Sequence, residues 1–192
     1  PEMEHEVNRF DEEEVWISLT SPLKHQLSAA AVRCIDNAME IRSVNTLRWD
    51  GVSWWAGSSD GPGMCMVADA FGQDSTKVLG ITGGGGTARS VASAWSKNGG
   101  KIKQLGGKRL LEEEGPWNLC NKSADFVINF DEDGGDLSVR YGKMEGDFDS
   151  RIEYLANNAD GRWLLCAQHL YSWASLWAPR YINELPSLSL LM

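Results

Sequence analysis

Long apolar runs are missing from this chain, and so is any surplus of basic residues. No stretch reaches the roughly 20 consecutive apolar residues that a membrane-spanning helix requires, so no membrane partner is expected. Lys and Arg number 18 against 27 Asp and Glu, a formal net charge of −9. Proteins that grip a phosphate backbone need a basic face, so nucleic acid is not an expected partner either. Histidines number only three, and the four cysteines, Cys34, Cys65, Cys120 and Cys166, lie far apart without zinc-ligand spacing. No metal is expected, and the thiols read as reduced ones in a cytoplasmic protein. The opening residues are acidic, unlike a signal peptide, and no internal repeat or low-complexity segment is present. What remains is an ordinary globular composition, 42% hydrophobic and 23% charged, with room for one large domain or two small ones.

The most informative stretch covers residues 77–103. A short apolar run from Val78 to Ile81 leads into four consecutive glycines, Gly83, Gly84, Gly85 and Gly86. Ala88, Val91, Ala92 and Trp95 then recur at helical spacing, Gly99 and Gly100 supply a stop, and residues 101–105 can restart a strand. Strand, glycine turn, helix, strand is one βαβ unit. Such a turn lets a ligand approach the backbone, and the following helix points free N–H groups and a positive dipole end at it. An anionic cofactor is therefore expected at this variant of a Rossmann turn, held by local groups and not by overall charge.

Along the rest of the chain, residues 1–13 read as an acidic lead-in and residues 15–20 as a strand broken at Ser21-Pro22. Residues 26–40 carry a helical pattern, with Leu27, Ala31, Cys34, Ile35 and Ala38 on one side. Segments 43–49 and 52–56 flank Asp50-Gly51, a hairpin signal. Residues 64–71 are predicted helical, 109–114 a short helix, 124–130 a buried strand and 137–141 another short one. Helices are predicted over 149–157 and 162–177. Strands alternate with helices, which predicts an α/β fold with a mainly parallel sheet.

Several short motifs, taken in order, resemble the shikimate dehydrogenase family. Leu19-Thr20-Ser21-Pro22-Leu23-Lys24 is similar to its Val-Thr-x-Pro-x-Lys, and Ser43-Val44-Asn45-Thr46 to its Ala-Val-Asn-Thr. Ser58-Ser59-Asp60 stands where Asn-Thr-Asp is usual. Gly83-Gly84-Gly85-Gly86-Thr87-Ala88-Arg89 resembles Gly-Ala-Gly-Gly-x-x-Arg, and Ala124-Asp125-Phe126-Val127-Ile128-Asn129 resembles Ala-Asp-Leu-Val-Ile-Asn. Val139-Arg140-Tyr141-Gly142 and the stretch from Gly161 to Gln168 are similar to the late motifs. The resemblance spans about residues 14–180.

It implies a Rossmann-type NADP-binding domain beside a truncated α/β substrate domain. Residues 1–72 would be the partial substrate domain, 73–160 the nucleotide-binding domain, and 161–192 helices returning to the substrate domain. The implied activity is an NADPH-dependent reduction of 3-dehydroshikimate to shikimate, or of a related cyclic hydroxy acid, with NAD as the other candidate cofactor. By resemblance, Lys24 and Asp60 form the acid–base pair, and Thr20, Asn45, Gln168 and Tyr141 contact substrate. Gly83, Gly84, Gly85, Gly86, Thr87, Arg89 and Gly161 would contact the cofactor.

Three departures accompany the resemblance. The family's early Ser-x-Ser segment, which binds the substrate carboxylate, has no counterpart before Val15: either a partner chain or a second copy supplies it, or shikimate is not bound in the family's usual way. Gly106-Gly107-Lys108 stands where Asn-Arg-Thr would clamp a 2′-phosphate; Lys108 and Arg109 are either its replacement cations or two solvated charges opening a short helix. Phe130-Asp131 occupies a place where a small residue and threonine are usual. Two further readings follow: a family member that binds nucleotide or a protein partner without turnover, and a thiol hydrolase built on Cys65 and His169.

Overall fold

The computed structural model describes residues 14–27 and 32–190. They form two four-stranded sheets linked by helices, a mixed α/β arrangement. The acidic lead-in lies outside the described residues.

The first sheet contains β1 (Val15–Ser18), β2 (Arg33–Cys34), β3 (Thr46–Trp49) and β4 (Trp54–Gly57), in the order β1-β3-β4-β2. β1 and β4 each pair antiparallel with β3, and β2 joins β4 in parallel. Leu19, Val44, Leu47, Trp54 and Ala56 pack together as its core. The predicted hairpin is present, but its loop is longer than Asp50-Gly51 alone. The Asp50 carboxylate accepts the amides of Val52 (2.9 Å) and Ser53 (2.7 Å), so the second strand starts only at Trp54.

The helix expected over residues 26–40 is a correction. Residues 28–31 lie outside the described residues, but Arg33–Cys34 is a strand paired with Trp55 and Ala56. Asp36 then draws the chain into a turn by accepting the amides of Ala38 and Ser58, each at 2.8 Å. A side chain that offers the backbone such bonds competes with helix formation, and helical spacing of apolar residues does not register that competition.

The second sheet is wholly parallel: β5 (Val78–Thr82), β6 (Lys101–Gly106), β7 (Phe126–Asn129) and β8 (Leu137–Ser138), ordered β6-β5-β7-β8. Central β5 is buried along Val78 to Ile81, as expected of a parallel strand covered on both faces. The helices are α1 (Asp60–Ala70), α2 (Gly86–Lys97), α3 (Phe148–Asn157) and α4 (Gly161–Leu176). Leu79, Ile81, Ile102, Phe126 and Ile128 of the sheet meet Val91, Ala92 and Trp95 of α2 in the larger core.

α1 directly follows β4 of the first sheet and packs against both α2 and α4, so it joins the two halves. The close approach needs glycine. A Cβ on Gly61 would lie 2.1 Å from the Ser90 carbonyl oxygen, and one on Gly63 would lie 2.8 Å from the Gln168 nitrogen. Among the described residues, no helix is long and apolar enough to cross a membrane.

The short helix expected over residues 109–114 is also absent. The segment runs as a strap in which Leu111 and Trp117 turn into the core. The Trp117 indole donates to the Glu112 carbonyl at 2.7 Å, diverting an acceptor that a helix would use. Leu119 then makes an isolated parallel bridge to Ile102 on the outer edge of β6.

Candidate functional site

After β1 the chain passes Thr20 and Ser21-Pro22 into a 3-10 turn, Leu23–His25, that carries Lys24. The turn is tied to the neighbouring segment through the Val44 amide, which donates to the Lys24 carbonyl at 3.1 Å. Asp60 is the first residue of α1, where a carboxylate suits the positive end of the helix. The Lys24 ammonium donates to Asp60 Oδ2 and, at 3.1 Å, to Thr87 Oγ1. The Thr87 hydroxyl donates in turn to Asp60 Oδ2 at 3.0 Å.

Asp60 is held from behind as well. The Asn45 side-chain amide donates to Asp60 Oδ1 and to Ser59 Oγ, both at 2.9 Å, while Asn45 Oδ1 accepts the Ser59 amide at 2.7 Å. The side chain of Asp60 is 3% exposed and that of Lys24 12%. Taking charges this far out of water is costly unless they are paired and hydrogen-bonded, and both conditions are met. The outcome is an ammonium fixed at the edge of a cavity.

That cavity measures about 300 Å³ and lies between the two sheets. Thr20, Ser21, Lys24, His25 and Asp60 line it, and Gly85, Gly86 and Thr87 adjoin them. Phe130 and Asp131, just past β7, close one end, while Tyr141, Gly161, Leu164, Leu165 and Gln168 close the other. A crevice beyond the carboxyl ends of parallel strands is where open α/β sheets place ligands.

The residues singled out from the sequence divide into two groups. Lys24, Asp60, Thr20, Gln168, Tyr141, Gly85, Gly86, Thr87 and Gly161 line the cavity together. The others do not. Asn45 is buried behind Asp60. Gly83 and Gly84 are buried against the chain's own loops. Arg89 points away: its guanidinium donates to the carbonyls of Ile41 (2.7 Å), Arg42 (2.7 Å) and Gly84 (3.3 Å), which locks the glycine turn to the first sheet's side. Lys108 and Arg109 are exposed on the strap.

Cys65 and His169 are not brought together. Burial pushes the Cys65 thiol up to about 12, which disfavours the thiolate a nucleophile needs. His169 Nε2 instead lies 3.0 Å from Ser18 Oγ, with its ring edge-on to Trp16.

Sequence reading passed over Ser59 and Ser90, which brace the site. Ser90 Oγ accepts the Gly61 amide at 2.8 Å and meets Ser58 Oγ at 2.7 Å. Its spacing from Thr87 on α2, three residues, was the available signal, since such pairs share a helix face.

No protein-family model matches the sequence, and no curated protein matches it. Solved structures do. The shikimate 5-dehydrogenase of Thermus thermophilus, in complex with NADP(H) and shikimate, is similar with a TM-score of 0.65 at 20% identity, over 98% of this chain and 80% of that one. The Listeria monocytogenes shikimate 5-dehydrogenase, in complex with shikimate and NAD, gives 0.64 at 15% identity, over 88% and 76%. The Aquifex aeolicus shikimate dehydrogenase gives 0.61 at 18% identity, over 88% and 75%. With two sheets meeting at a glycine turn and a matching course over most of its length, this chain has the shikimate dehydrogenase fold.

Proposed function

We propose that this chain is an oxidoreductase that interconverts a ketone and a secondary alcohol on a small hydroxylated ring acid, with 3-dehydroshikimate and shikimate as the pair to test first. The observation that carries this reading is the Lys24–Asp60 pair set at the cavity edge and bonded to Thr87, beside the glycine turn. A nicotinamide cofactor, NADP before NAD, would supply the hydride.

The chain's own residues would manage the proton. As the carbonyl carbon is reduced, its oxygen becomes an alkoxide, and Lys24 Nζ donates the proton that neutralises it. Asp60 keeps the ammonium aimed, and Asn45, Ser59 and Thr87 keep Asp60 from turning. Thr20 and Gln168 face the same space and would bond ring hydroxyls; Tyr141, 60% exposed, would close over the open side. The phosphate of a nicotinamide cofactor would have room at the turn, because among the described residues nothing lies within 4 Å of where a Gly85 Cβ would be, and the first turn of α2 has no side-chain cap.

The test is an absorbance assay with shikimate and quinate, each with NADP+, NAD+ and nicotinamide mononucleotide, beside binding titrations of the reduced cofactors. Turnover that Lys24→Ala abolishes supports the reading; no turnover with any pairing sinks it. A second reading, binding without turnover, is favoured by one observation: Lys108 and Arg109, the expected phosphate partners, stand exposed on the strap and outside the cavity. Cofactor binding without turnover would select it.

A further inference from the structure

The glycine turn is open on one side and filled on the other. Toward the cavity, Gly85 has free space, and Gly86 and Thr87 line the opening. Toward β6, the chain covers it. The Gly83 amide donates to the Gly106 carbonyl at 2.8 Å. A Cβ on Gly84 would lie 2.4 Å from both the carbon and the oxygen of the Leu110 carbonyl, and one on Gly107 would lie 2.4 Å from the Gly83 nitrogen. The strap of residues 106–111 therefore rests on the turn backbone to backbone.

The strap is also pinned. Gln104 Oε1 accepts the Leu111 amide at 3.2 Å, while Gln104 Nε2 donates to the carbonyls of Ile81 (3.2 Å), Gly83 (3.3 Å) and Gly106 (2.7 Å). Leu111 is buried in the larger core. At the same corner, Asp131 Oδ2 accepts the Lys108 amide at 2.5 Å, and Asp131 Oδ1 lies 2.9 Å from where a Gly83 Cβ would be. The Asp131 side chain therefore stands beside the turn and is held there by the strap.

A dinucleotide on a sheet of this kind lays its diphosphate over the turn and extends its adenosine toward the end of the neighbouring strand. Here that strand is β6, and the path is occupied by residues 106–111 with Asp131 alongside. We propose that the turn accepts a ligand with a single phosphate ester, of the size of nicotinamide mononucleotide, and excludes the adenosine half of a dinucleotide. This rests on the nicotinamide-dependent reading above.

The experiment titrates the full chain with reduced nicotinamide mononucleotide, NADPH and NADH, following tryptophan fluorescence. The expected result is that neither dinucleotide binds more than tenfold tighter than the mononucleotide. A dinucleotide that binds more than tenfold tighter overturns the proposal and leaves the nicotinamide reading standing. If none of the three binds at millimolar concentration, the nicotinamide reading falls and the proposal with it. The variant Asp131→Asn, with folding checked by circular dichroism, should tighten NADPH by at least fivefold and change mononucleotide affinity less than twofold. Unchanged NADPH affinity in the folded variant overturns the assignment of exclusion to Asp131.

Discussion

Lys24 is useful to a ligand only because its partner is fixed from the far side. Asp60 receives bonds from Lys24, Thr87 and Asn45, and these three come from three separate segments of chain. On the proposed reaction, Lys24→Ala should lower kcat by roughly 10²–10⁴, the range for loss of a positioned proton donor, while cofactor affinity stays within about threefold. Loss of affinity and turnover together would point to a structural role instead. Thr87→Val keeps the shape and removes the hydroxyl that bonds both Lys24 and Asp60. Steady-state kinetics should show kcat down by roughly tenfold, the scale of one hydrogen bond to a charged group. Cys65 provides a check of a different kind. With its thiol pushed up to about 12, roughly one molecule in ten thousand is thiolate at pH 8. Iodoacetamide should label the partly buried Cys65 slowly in the native protein and fast after denaturation, as read by peptide mass spectrometry; rapid native labelling would contradict the raised thiol pKa.

The same logic extends to whole elements. α1 meets the backbone of α2 and of α4 where its own side chains are absent, at Gly61 and Gly63. Gly61→Ala would drive a methyl into the Ser90 carbonyl, and overpacking of this kind costs about 1–3 kcal/mol. Denaturant unfolding should show that loss, and an unchanged midpoint would mean that the helices lie farther apart. At the start of α4, Asp160 accepts the Arg162 amide at 2.9 Å and the Gly142 amide at 3.0 Å, and it pairs with the Arg162 guanidinium. Asp160→Ala should cost about 1–2 kcal/mol, the upper part of the range for a lost helix cap. Elements such as α2 and α4 were legible from periodicity because their apolar residues recur at helical spacing. Residues 32–42 and 109–114 were not, because Asp36 and Trp117 spend local backbone groups on turns. Helical spacing counts apolar positions and is blind to a side chain that takes a backbone bond.

At the scale of the molecule, two sheets with separate cores share one connector. The first core holds Leu47 and Trp54; the second holds Trp95 and Ile128; α1 and the Lys24–Asp60–Thr87 bonds tie them together. Unfolding should therefore be a single transition, with tryptophan fluorescence and far-ultraviolet circular dichroism giving coincident curves; two separated transitions would show that the connector is weaker than its packing implies. By itself the sequence determined the strand–glycine–helix–strand unit, the hairpin at Asp50-Gly51, and the set of residues from which a cavity could be assembled, because each depends on neighbours a few positions apart. Only the tertiary structure decided which of those residues meet. Thr87 reaches Asp60 across 27 positions, Arg89 turns to the carbonyl of Ile41 across 48, and Asp131 reaches the amide of Lys108 across 23. Contacts of that separation are set by how sheets and straps pack, and local spacing carries no record of them.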